Sequence, residues 1–298
     1  MILTASLRDP EEALNATFLT ESQELLRMSR VNSSDSKKRI AKIQGENKKS
    51  LARSESDNGL SDPTTLSMVE VIASNFAKVH DYEKADALYK RLFVAVQDAY
   101  LPCSKESAVV LEQMAKVAVH QGRLVEATKV LHRVRDIQSS LKRPTDPESL
   151  ETSERIAGLY TRQGLYDEAI REYKEIIKYR TDEHGKMAEE TLRVMECLAN
   201  VYRVKGKRGR KALETAAARY EEIVQMRKES WQQCKQRTKA QQQCSTEQQC
   251  QSRLVETMTK LAEVYRELGN SHEEWVLREE LFLLETLEKP KPPVTAST

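Results

Sequence analysis

Residues 156–169 read Ile156-Ala157-Gly158-Leu159-Tyr160-Thr161-Arg162-Gln163-Gly164-Leu165-Tyr166-Asp167-Glu168-Ala169. Ile156, Leu159 and Tyr160 lie at the spacing of one helix face, Gly164 breaks the run, and a new periodic segment opens at Tyr166. The stretch reads as the end of one helix, a one-glycine turn and the start of the next. Shifting the sequence by 42 residues repeats it. Ala73, Ala115, Ala157 and Ala199 fall in register, each after an aliphatic residue, and Phe76, Ala118, Tyr160 and Tyr202 follow three positions on. Ala85, Ala127 and Ala169 form a second small column, followed four residues later by Tyr89, Leu131 and Tyr173.

These columns specify two amphipathic helices per unit, A and B. An alanine on each contact face lets the two axes approach to roughly 8–10 Å. Gly122, Gly164, Gly206 and Gly269 hold the A–B turn, where glycine suits a left-handed cap, while His80 stands there in the first unit. Asp62-Pro63 and Asp146-Pro147 each supply an N-cap followed by proline at the first helical position. The fourth unit gains five residues before its B columns resume at Ala216, Tyr220 and Ile223, and a fifth frame appears at Leu261, Ala262, Tyr265 and Gly269. In the last helix Glu274 and Arg278 replace the packing alanine and tyrosine, a polar change that suits a terminal capping repeat. Residues 231–251 hold nine glutamines and three cysteines without Gly or Pro, and are expected to extend the fourth B helix and the fifth A helix.

The expected fold is therefore all-α: a right-handed α-solenoid of about five helix-turn-helix units across 62–288, with a long helical insertion before the last. The units fall near 62–103, 104–145, 146–186, 187–230 and 246–288, with the Gln/Cys-rich insertion at 231–251. Residues 1–31 are expected to carry an N-terminal helix, 32–61 a disordered linker, and 289–298 a disordered tail around Pro290, Pro292 and Pro293. Composition agrees: Gly 9 and Pro 8 in 298 residues leave too few turn formers for a sandwich, barrel or propeller. No apolar run approaches the roughly 18 residues of a membrane span, and the start carries no secretory-type leader. Five cysteines, without metal-type spacing, read as reduced thiols in a cytosolic or nuclear protein.

The segment 156–169 resembles a tetratricopeptide repeat. The 42-residue period and the Asp-Pro-x-Ser/Thr-Leu openings are similar to the kinesin-light-chain-like branch of that superfamily. The resemblance implies a concave surface, lined by A helices, that holds an extended peptide. Where the light-chain pattern often places an Asn pair before the Leu-Ala, this chain has Glu112-Gln113, Glu154-Arg155 and Glu196-Cys197.

One charged column follows the period: Glu70, Glu112, Glu154 and Glu196, three residues before each packing alanine. Seven or eight residues on stand Lys78, His120, Arg162 and Arg203. Like charges one helix spacing apart lie near the Debye length and repel unless neutralised. Two neutralisers are open at this stage, a basic peptide in the groove or Lys and Arg from neighbouring helices. Gly158 inside a helix leaves room either for a ligand backbone or simply for closer helix packing. The candidate groove set is Glu70, Glu112, Glu154, Glu196, Lys78, Gly158, Arg162, Asn200 and Arg203. A candidate basic patch, Lys205, Lys207, Arg208, Arg210 and Lys211, sits at the fourth A–B turn and suits an acidic partner or a solvated loop.

No phosphate-binding glycine loop, His-x-x-x-His pair or nucleophile elbow is present, so no catalytic, metal or cofactor residues are assigned. The functional expectation is a non-catalytic protein–protein interaction scaffold binding a peptide or partner helix, with basic residues suited to the acidic column. Membrane, nucleic acid and small-molecule substrate are not expected. The alternative is a regulatory or sensor module of a larger NTPase-type signalling protein.

Overall fold

The computed structural model describes residues 34–101, 103–143, 146–207, 209–241 and 244–286. Within them lie α1 (Ser34–Asn58), α2 (Pro63–Lys78), α3 (Tyr82–Ala99), α4 (Lys105–His120), α5 (Leu124–Leu141) and α6 (Pro147–Gln163). These are followed by α7 (Tyr166–His184), α8 (Glu189–Gly206), α9 (Arg210–Gln241), α10 (Cys244–Leu268) and α11 (Ser271–Thr286). The described residues contain no strand. From α2 onward the helices pair successively, α2/α3 through α10/α11, giving an all-α solenoid with a long helical insertion before the last pair. The described residues fall into two compact units that divide between Thr152 and Ser153. No described helix is long and apolar enough to cross a membrane.

In the N-terminal half the core follows the alanine columns. Ala73, Ala85, Ala115 and Ala127 are all 0% exposed. Around Ala73 and Ala85 pack Ile72, Tyr89, Leu92 and Val96, together with Val110 and Val117 of α4. The A helix of one pair thus packs back onto the pair before it, which is how a stack of hairpins buries one continuous apolar seam. The C-terminal half repeats the scheme. Ala157, Ala169, Tyr173 and Ile176 gather Val194, Leu198 and Val201 of α8. Ala199, Ala216, Tyr220 and Ile223 in turn gather Leu254, Met258 and Leu261 of α10.

Residues 32–61, expected to be a disordered linker, instead contain α1. Ile40, Ile43, Asn47, Leu51 and Ser54 form a buried or half-buried stripe at helical spacing. Leu51 enters the first core, Ser54 Oγ and Thr65 Oγ1 are 2.8 Å apart, and Arg91 pairs with Glu55 at 2.7 Å. The polar composition hides a helix whose docking rests on a few side chains meeting α2 and α3. The expected N-terminal helix in 1–31 and the tail 289–298 lie outside the described residues.

The A–B turns follow one hydrogen-bond pattern. Asp81, Arg123, Leu165 and Asn270 N–H groups donate to Phe76, Ala118, Tyr160 and Tyr265 carbonyls, each at 2.9 Å. This six-residue closure needs a left-handed residue just before its donor. Gly122, Gly164 and Gly269 supply it with φ of 77°, 79° and 80°. His80 adopts φ 63° without being glycine, and its Nδ1 lies 2.7 Å from the Tyr82 hydroxyl. Gly206 departs from the expectation: it is the last residue of α8 and does not have positive φ. Its reason is space, because a Cβ there would sit 2.8 Å from the Leu213 backbone nitrogen.

The last helix also differs from its expected polar cap. Glu274 is half-buried and accepts from Arg278 and Arg266, while Trp275 (61%) and Phe282 (64%) stand exposed on the outside. Leu277, Leu281 and Leu284 turn inward. Helix α11 is therefore apolar on two sides, and its acid is neutralised locally.

Gly206→Ala should destabilise the fold by about 1–3 kcal/mol, as overpacking does. Urea unfolding followed by circular dichroism checks the value, and an unchanged midpoint would show that the α8–α9 corner can open to admit a methyl group.

Candidate functional site

Each glutamate of the 42-residue column lies on an A helix, one turn before the packing alanine, and is half-buried. The pairing across the repeat is systematic. Glu112 on α4 accepts a hydrogen bond from Gln138 Nε2 on α5 at 3.3 Å, and Gln138 in turn accepts one from the Thr152 hydroxyl at 2.9 Å. Glu154 on α6 meets Arg180 on α7, again 26 residues downstream. Glu196 on α8 meets Arg227 on α9 at 2.9 Å, 31 residues downstream because of the five-residue insertion. In the first pair the corresponding place holds Val96, and Glu70 acts on Tyr89, whose phenol is pushed up to about 12 by burial and then by Glu70.

In the C-terminal half these pairs join into a lattice. The Glu154 carboxylate also receives Arg193 at 3.0 Å, while Arg180 extends to Glu190 at 3.5 Å. Arg227 bonds Glu189 at 3.0 Å and donates to the Arg253 carbonyl at 2.7 Å. Glu196 receives Lys260 at 3.2 Å, and Arg203 clamps Glu263 and Glu267 at 2.7 and 2.6 Å. Partial burial opposes the charge on Lys260, yet Glu256 and Glu196 hold its ammonium above the usual lysine range. Side-chain exposure of 9% and 13% for Arg180 and Glu154, and of 5% and 11% for Arg227 and Glu196, places both central pairs away from water.

The acidic stripe read from the sequence is therefore not a bare surface in this half. Its neutraliser is the protein itself, through Arg180, Arg193, Arg227 and Lys260. Arg180 and Arg227 continue the Gln138 column once the insertion is counted, so their pairing was present in the sequence as a second periodic signal.

The other candidates separate. Lys78 is half-buried at the end of α2, and His120 stacks on Tyr82 with ring centres 4.9 Å apart. Arg203 is engaged with α10, as described. Arg162 and Asn200 are exposed. Gly158 shares the helix face of Arg162, four residues on, and Asn200 lies one period after Gly158. Among the described residues beyond its own helix backbone, a Cβ built on Gly158 would meet only the Tyr173 hydroxyl, at 3.9 Å. Of the basic patch, Lys205 is tied to Asp167 at 2.5 Å and Arg210 to Glu214 at 3.2 Å. Lys207 and Lys211 are exposed, and Arg208 lies outside the described residues. Lys205 and Lys211 border an open cleft of about 600 Å³ that also holds Tyr166 and Tyr202.

Cys197 lies beside the lattice; burial, then Glu154, raises its thiol above the usual cysteine range. Among the described residues no group of His, Cys, Asp and Glu could hold a metal ion.

Removing one member of a buried pair strands its partner's charge, so Arg227→Ala should cost about 3–5 kcal/mol. Arg171→Ala, at an exposed pair with Glu168, should stay within about 0.5 kcal/mol. Parallel urea titrations check the contrast, and equal midpoints would remove the lattice from any structural role.

Comparison with known proteins agrees with this architecture. Residues 106–182 match the tetratricopeptide repeat family model. No curated protein sequence matches significantly. Among solved structures, a Podosopora anserina kinesin-light-chain-type protein of nearly identical TPR-like repeats superposes with a TM-score of 0.56 at 16% identity, over 77% of this chain and 99% of that one. BtubC (BKLC) from P. vanneervenii superposes with a TM-score of 0.57 at 15% identity, over 87% and 97%. At such identities the likeness speaks for the fold. Residues 106–182 thus match tetratricopeptide repeats, and the fold is similar to that of kinesin-light-chain-type repeat proteins.

Proposed function

We propose that this chain is a non-catalytic interaction scaffold that binds an extended peptide along the A-helix face of its C-terminal half, across Gly158, Arg162 and Asn200. The observation that carries the reading is Gly158. Glycine inside a helix costs about 1 kcal/mol relative to alanine, and among the described residues, outside its own helix backbone, an added Cβ would neighbour only the Tyr173 hydroxyl, at an ordinary contact distance. The fold's own packing thus gives no return for that cost. A ligand backbone approaching the helix does, because it needs the space a side chain would take.

The flanking groups fit the same occupant. Asn200 offers both an amide donor and a carbonyl acceptor, the pair needed to bind one peptide unit on two sides. Arg162 offers a planar fork suited to a carboxylate. Glu154 and Glu196 are taken up by arginine and lysine of the chain, so the support for a basic ligand is withdrawn. The favoured ligand is one read through its backbone and an acidic side chain.

Peptides selected from a displayed random library against the full chain test the proposal. Gly158→Ala should raise thermal stability, by about 1 kcal/mol, while weakening the selected peptides. Asn200→Ala should weaken them about 3- to 10-fold, the worth of one or two hydrogen bonds. Peptides that bind both variants as tightly as the parent would place the binding surface elsewhere.

A further inference from the structure

Helices α9 and α10 run 32 and 25 residues, against 16 to 19 for α2 to α8. The core of this region reaches Trp231 on α9 and Leu254 on α10. Between those two residues the sequence carries no Val, Ile, Leu, Met, Phe or Tyr. The extension therefore has little apolar surface with which to hold its two helices together. At its base the two helices meet through sulfur: Cys234 Sγ and Cys250 Sγ lie 3.2 Å apart, both half-buried.

We propose that Cys234 and Cys250 form a reversible dithiol–disulfide couple that locks the α9–α10 extension, exchanging with low-molecular-weight disulfides such as oxidised glutathione. The sulfurs need to close by only about 1 Å to reach the covalent S–S distance of about 2.05 Å, so little backbone movement is required. In the first step a cysteine thiolate attacks one sulfur of glutathione disulfide; that S–S bond breaks and one glutathione leaves. In the second, the other cysteine attacks the protein sulfur of the mixed disulfide and expels the second glutathione. Two electrons pass from the protein to glutathione, and the two cysteine protons end on two glutathione thiols. Burial and the neighbouring Cys234 push the Cys250 thiol up to about 11, which keeps that thiol protonated and exchange slow at neutral pH. Arg253, one turn from Cys250, works in the opposite direction.

Closing the couple adds a covalent tie to an extension poor in apolar residues, close to Trp231, whose ring carries Lys235 at 5.0 Å. The local opening of such a segment is what a cross-link suppresses.

The full chain is equilibrated in buffers spanning reduced to oxidised glutathione, then alkylated, digested and mapped by mass spectrometry. The expected result is joint loss of alkylation at Cys234 and Cys250, a peptide linking those two positions, and full reversal by dithiothreitol. Tryptic cleavage after Lys235, Arg237 and Lys239 should slow about tenfold in the oxidised form. Cys244→Ser should leave the link intact, whereas Cys250→Ser should abolish it. Independent alkylation of the two cysteines at every ratio, a bond to Cys244, or a bond to a second chain would each overturn the proposal.

Discussion

The close approach of helices over alanine governs the rest of this molecule. In each of the first four pairs an alanine from the A helix and one from the B helix are fully buried, from Ala73 and Ala85 to Ala199 and Ala216. With no side chain beyond Cβ at that point, the two helix axes come near enough for every neighbouring column to be set. The aromatic or aliphatic residue four positions after the B-helix alanine fills the seam as Tyr89, Leu131, Tyr173 and Tyr220. The residue three before the A-helix alanine is brought against the end of the B helix, which is where the charge chemistry begins.

That chemistry is a matter of burial. An exposed ion pair is worth about 0–1 kcal/mol and could be lost without consequence. Glu154–Arg180 and Glu196–Arg227 are different because their side chains are nearly closed to water, so neither partner can be discarded alone. The repeat thereby converts a row of like charges into a row of internal ties, with Arg193 and Lys260 crossing to the next A helix. The proposed recognition surface lies on the same face, at Gly158, the exposed Asn200 and the exposed Arg162. Specificity in this reading comes from space and hydrogen bonding more than from net charge.

Departures from the period fall where the packing is interrupted. Five inserted residues move the fourth B helix, and Gly206 changes from a turn former to a spacer against Leu213. The continuation of α9 and α10 takes both helices beyond their apolar support, leaving two sulfurs at their contact. In α1 the opposite happens: a polar segment becomes helical because Leu51, Ser54 and Glu55 find partners on α2 and α3.

The helices from α2 onward, their pairing and the turns at Gly122, Gly164 and Gly269 were legible in the sequence because each depends on residues close together in the chain, repeated at one period. Alanine at 73, 115, 157 and 199 and glycine at 122, 164 and 269 carry their meaning locally. The fate of the glutamate column was not legible in that way. Whether Glu154 faces a ligand or Arg180 depends on how far the B helix reaches past the A helix, a distance fixed only when both alanines are packed. The same holds for Gly158, whose spare volume is defined by Tyr173 on another helix, and for Cys234 and Cys250, which are 16 residues apart in the chain and 3.2 Å apart in space. Periodicity determined the fold; long-range side-chain contact decided which of its charges, gaps and thiols are left to act.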